Sequence, residues 1–112
     1  MSHSTNELLK HIITEMDYII SATKNSDEEK FLNDETLKRA VSRSLEIIGE
    51  ASKQIPEDYK ISHPKIEWRA LAGLRDRLIH GYFGVDYEIV WDILTSKIPT
   101  LKIEIEKLKN TL

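Results

Sequence analysis

Apolar residues recur every three or four positions along nearly the whole chain, which is the repeat of a helix face rather than of a strand. The first stripe is Leu8, Ile12, Met16, Ile19, Ile20 and Thr23. Asn25-Ser26-Asp27 interrupts it, and Ser26 or Asp27 can cap a short turn leading to Phe31-Leu32. A second long helix is predicted from Asn33 or Asp34. Its stripe is Leu37, Val41, Ser44, Leu45, Ile48, Ala51 and Ile55, with Arg39, Arg43, Glu46, Glu50 and Lys53 on other faces. Pro56 closes it, because proline disfavours helical geometry in the residue before it. The stretch Glu57 to Lys65, with Tyr59, Ser62, His63 and Pro64, reads as a loop. A third helix is predicted from Ile66 to Ile79, carrying Trp68, Leu71, Ala72, Leu74, Leu78 and Ile79, with Gly81 as its stop. Asp86 caps a fourth helix with Ile89, Val90, Trp91, Ile93 and Leu94, which Pro99 breaks or kinks. The tail carries Leu101, Ile105, Leu108 and Leu112 on one stripe.

No segment alternates as a strand does, so the pattern predicts an all-α fold, a helical bundle in the broad sense. The 112 residues suit one domain, 1–112. A core of that size is moderate, and wide apolar helix faces point to a homodimer that covers the remainder.

Composition narrows the picture. The chain is 40% hydrophobic and 31% charged, as in a folded protein. It has no cysteine, which excludes a disulfide scaffold, a thiolate metal site and a cysteine nucleophile. The polar start lacks the basic flank and apolar run of a signal peptide, and no apolar run approaches the roughly 20 residues of a membrane span. The expected location is the cytoplasm, with no membrane contact. A net charge of −3 argues against non-specific coating of nucleic acid, so any such contact must be local.

Locally, the balance reverses. From Lys65 to Tyr82, Lys65, Arg69, Arg75, Arg77 and His80 stand against Glu67 and Asp76, which suggests an anion site with phosphate as the obvious ligand. A solvated helix face would explain the same charges. Arg75 and His80 are five apart, about 140° on a regular helix, and can converge only if the helix ends near His80. Asp76 and His80 are four apart and share a face, so the carboxylate would orient the imidazole and favour its protonated form. Arginine supplies permanent charge and histidine titrates near neutrality, a pairing suited to phosphate chemistry. The plainer alternative is a surface arginine beside a histidine at a helix C-terminus. His3, His11 and His63 are scattered, so no metal cluster and no cofactor site is read.

The order Ile47-Ile48-Gly49-Glu50-Ala51, Trp68, Gly73-Leu74-Arg75-Asp76, His80-Gly81-Tyr82, Val85-Asp86 and Trp91 resembles the HepT-like branch of the HEPN superfamily over nearly the whole chain. That family's motif is Arg, a polar residue, three more residues, His, any residue and Tyr. Here these are Arg75, Asp76, His80 and Tyr82, with Asp76 where the family often has Asn. The resemblance implies a HEPN-type bundle that pairs as a homodimer around a shared cleft. It implies a metal-independent endoribonuclease, the toxin of a toxin–antitoxin pair, with RNA as substrate and a minimal nucleotidyltransferase as antitoxin. It carries catalysis to Arg75 and His80, and to Tyr82 a modification by AMP that silences the toxin. Without the family, Tyr82 reads as an aromatic anchoring the next loop. Trp68 and Trp91 read as core or dimer-contact residues rather than base-stacking platforms. Arg43, Glu46 and Glu50 are candidates to line the cleft, though a solvated face fits them too. The competing function is a non-catalytic module that binds a nucleotide or docks the nucleotidyltransferase.

Overall fold

A computed structural model of the chain describes residues 3–74, 76 and 85–111. Among these, seven helices form and no strand does, so the fold is all-α: α1 (Thr5–Thr23), α2 (Glu28–Leu32), α3 (Glu35–Gln54), α4 (Glu57–Ser62), α5 (Trp68–Ala72), α6 (Tyr87–Ser96) and α7 (Ile98–Asn110). The expectations for Leu78, Ile79, Gly81 and Leu112 lie outside the described residues.

Capping sets the helix starts. Ser4 opens α1 by accepting from the Glu7 N–H at 3.1 Å, and its hydroxyl donates to the Glu7 carboxylate at 3.1 Å. Asp27 opens α2 and Asp34 opens α3, accepting from the N–H groups of Lys30 (2.8 Å) and Leu37 (3.0 Å). Asp86 opens α6 by accepting from both Glu88 and Ile89.

Helix α1 lies against α3 and α7, α3 against α5, α6 against α7, and α2 against α3 and α6. Between them sits one apolar cluster. Leu9, Ile12, Met16 and Ile19 of α1 meet Val41, Leu45 and Ile48 of α3, with Ile98 and Ile105 of α7, all fully buried. The short α2 is held by Phe31, whose ring lies 5.3 Å from that of Trp91 and 6.2 Å from that of Tyr87. No helix among the described residues is long and apolar enough to cross a membrane.

Two elements differ from the sequence reading, and a third resolves one of its alternatives. The helix expected unbroken from Ile66 to Ile79 begins at Trp68, and α5 ends at Ala72 with Gly73 as its C-cap. Residues 57–62, expected as loop, form α4. Pro56 breaks α3 yet sits at the N-cap of α4 with ψ 142°, and Glu57 and Asp58 fill the first turn, where acidic groups suit the helix dipole. His63 ends α4 because it precedes Pro64. At Pro99, of the break or kink expected, the structure shows a break. Helix α6 ends when the Lys97 N–H donates to the Ile93 carbonyl (3.0 Å), and α7 begins when the Lys97 carbonyl accepts from Leu101 (3.0 Å). Pro99 then occupies the first turn of α7, where its missing N–H breaks no bond.

Candidate functional site

Two anchored points flank the motif along the chain. Leu74, directly before Arg75, is buried (6% exposed), and Asp86 is locked into the start of α6. Val85 packs partly against the core. Helix α5 brings the chain to Leu74 by way of Trp68 and Leu71, both buried. Gly73 ends α5, donating to the Arg69 carbonyl at 3.0 Å. A side-chain carbon at position 73 would lie 3.2 Å from that same oxygen, so glycine fits this close approach where a larger residue would press on the helix. Arg75, His80 and Tyr82 lie outside the described residues.

Asp76 is described and exposed. Its carboxylate lies 3.7 Å from Lys53 Nζ, on the last turn of α3. The sequence reading gave Asp76 the task of orienting His80, which lies outside the described residues; among the described residues Asp76 has this lysine beside it. The sequence reading gave Lys53 no part in the site. The available signal was its place on a polar stripe of α3, at Arg39, Arg43, Glu46, Glu50 and Lys53, which repeat at helical spacing. Within that stripe Arg43 Nη1 pairs with Glu46 at 3.3 Å, both at the surface of α3. Glu50 is half-buried.

The cationic residues before the motif spread over two clefts. Lys65 borders one of 450 Å³ with His63, Ile66, Glu104 and Lys107. Arg69 borders an open one of 610 Å³ with Pro64, Trp68 and Gly73. Pro64 and Ile66 line both clefts, and the other cationic members of the expected patch, Arg75, Arg77 and His80, lie outside the described residues.

Trp68 is a core residue in this structure, 7% exposed, with its indole N–H donating to the His63 carbonyl at 3.0 Å. Trp91 is half-buried against Phe31. His63 donates from Nδ1 to the Tyr59 carbonyl at 2.9 Å, and its ring lies 4.2 Å from the Tyr59 ring. Burial pushes the Tyr59 phenol above its ordinary pKa, and its hydroxyl has no hydrogen-bond partner among the described residues. His3 pairs with Glu7 at 3.2 Å. Among the described residues no group of three or more His, Asp or Glu side chains could hold a metal ion.

The profile of a family described as "Ribonuclease HepT-like" matches residues 12–108. A Methanocaldococcus jannaschii protein named "Putative RNase MJ0125" is 50% identical over 100 residues, 89% of this chain and 86% of that one. A Thermococcus cleftensis protein named "Probable ribonuclease HepT" is 46% identical over 109 residues, 97% of this chain and 99% of that one. A Caldanaerobacter subterraneus protein named "Putative RNase TTE0752" is 43% identical over 100 residues, 89% of each chain. No solved structure matches the chain significantly.

Proposed function

This chain belongs to the family of HepT-like ribonucleases, and from that membership we propose that it is a metal-independent endoribonuclease, the toxin of a toxin–antitoxin module. The observation that carries the reading is the profile match over residues 12–108, which takes in the entire segment from Arg75 to Tyr82. RNA brings its own nucleophile. The 2′-OH attacks the adjacent phosphorus, the P–O5′ bond breaks, and a 2′,3′-cyclic phosphate and a 5′-OH result. His80 takes the 2′-OH proton or protonates the leaving oxygen. Arg75 faces the negative charge that builds on the phosphoryl oxygens. The reading needs no metal ion and no cofactor. A homodimer would bring two such pairs to one RNA.

Control is assigned to Tyr82. A minimal nucleotidyltransferase antitoxin would direct the phenol oxygen onto the α-phosphorus of ATP, with pyrophosphate leaving. The resulting AMP would put bulk and negative charge beside Arg75 and His80.

The test is RNA cleavage by purified protein in excess chelator, with products resolved by their ends. Cyclic phosphate ends, lost in Arg75→Ala and His80→Ala at unchanged helicity, are expected. Dependence on a divalent ion overturns metal independence. RNA binding without cleavage would instead favour the non-catalytic module. Incubation with the partner nucleotidyltransferase and ATP should add AMP mass to the wild type and not to Tyr82→Phe.

A further inference from the structure

We propose that Lys53 is an RNA-binding residue of this site: α3 delivers a second-element cation to the motif, and Asp76 is its resting counter-ion. The inference rests on the ribonuclease reading and adds to it a residue outside the motif.

The observation is the approach of Lys53 Nζ to Asp76 Oδ1 at 3.7 Å, with the two side chains 41% and 72% exposed. That distance is too long for a hydrogen bond. An exposed pair of this kind is weak, and salt screens it further. Lysine has three donors, and this contact fills none of them well. The ammonium therefore keeps its capacity for a phosphate oxygen, while the carboxylate fixes where it waits. Asp76 follows Arg75 directly in the chain, so the ion pair ties the last turn of α3 to the motif itself.

Charge logic gives the pair a direction. Asp76 places a negative group in a segment whose task is to receive a polyanion. Left alone, it would repel the substrate. Lys53 cancels it, and when a phosphate arrives the lysine can exchange a carboxylate for a phosphodiester of the same charge. The Arg43–Glu46 pair on the same stripe of α3 is already closer, at 3.3 Å, so Lys53 is the less committed cation of the two.

The experiment uses the full chain and a short 2′-O-methyl oligoribonucleotide, which binds but cannot be cleaved. Lys53→Gln should weaken binding on the order of tenfold at low salt, and the slope of log affinity against log salt should become shallower by about 0.7, the contribution of one phosphate contact on a single strand. Lys53→Arg should bind like the wild type. Adding Asp76→Asn to Lys53→Gln should recover part of the loss, because the unmasked carboxylate is gone. Lys10→Gln removes a cation from the exposed side of α1 and controls for net charge. With cleavable RNA, the Lys53→Gln defect should fall on KM more than on kcat. Unchanged affinity and salt slope in Lys53→Gln, or an equal effect of Lys10→Gln, overturns the proposal. Wild-type protein that binds the oligonucleotide but never cleaves RNA overturns the ribonuclease reading instead, and the binding arm still decides the role of Lys53.

Discussion

Replacing Trp68 by Phe separates a core tryptophan from a base-stacking one. In the folded chain the indole N–H donates to the His63 carbonyl at 3.0 Å, and the ring stands edge-on to Tyr59 with centroids 6.2 Å apart. Phenylalanine keeps the aromatic body and loses the donor. The lost bond contributes about 1 kcal/mol, and water can still reach the freed carbonyl because His63 is only half-buried. The missing half of the indole leaves a gap at the edge of the apolar cluster, with a penalty of roughly 1–2 kcal/mol if the walls relax only in part. Together these predict a destabilisation of about 2–3 kcal/mol, which in a domain of this length lowers Tm by roughly 10 °C. Thermal unfolding followed by circular dichroism measures it. RNA affinity, taken at a temperature where both proteins are folded, should change less than about threefold, since a fully stacked base would be worth roughly 1–3 kcal/mol. A variant with wild-type Tm and a tenfold loss of RNA affinity would refute the reasoning and move Trp68 from the core to the substrate surface.

The other predictions concern stability, its pH dependence and the helix leading out of the motif. Ser52→Ala should stabilise the protein by about 1 kcal/mol in urea titration, because the fully buried hydroxyl has no partner among the described residues and alanine is the better helix former. Leu45→Ala, at a fully buried position of α3, should destabilise by about 3 kcal/mol in the same titration. Asp86→Ala removes the acceptor for two N–H groups at the start of α6 and should lose about 1 kcal/mol, with hydrogen exchange fastest in the first turn. The hydrogen bond from His3, then those from Ser4, hold the Glu7 carboxyl below its ordinary pKa of 4.5. Its stabilising contribution is therefore present above that value and lost as pH falls through the lower, folded value; Glu7→Gln should show a smaller fall in urea midpoint than the wild type between about pH 6 and about pH 3.

Much of the fold was legible because its signals are local. Asp27, Asp34 and Asp86 each stand just before a periodic apolar run, and each became a cap. The stripe from Val41 to Ile55 mapped onto the buried face of α3 for the same reason. Helix α4 escaped because two prolines so close together read as breakers, and nothing local shows that Tyr59 will pack against His63 and Trp68. At Pro99 the expected break is present and the kink is not: a proline reads alike at a kink and in a new first turn, and only the bonds of Lys97 distinguish them. The site divides similarly. Arg75, Asp76, His80 and Tyr82 form a contiguous pattern that can be recognised. Lys53 becomes noticeable only when α3 and α5 are packed together and its partner from a distant stretch of chain arrives.

Lys97 belongs to two helices at once, closing α6 with its N–H and opening α7 with its carbonyl. Such a joint has no slack. One extra residue beside it must either bulge out as new loop or turn the whole of α7 by about 100°. The second outcome would swing Ile105, fully buried in the core on a helix that packs on α1 and α6, toward water. The bend at Asn25 and Ser26, exposed and half-exposed between α1 and α2, has no such double duty. Changes in chain length should therefore be accepted at that bend and refused at the α6–α7 joint, and a library of single-residue insertions screened for folded protein would show a gap centred on Lys97.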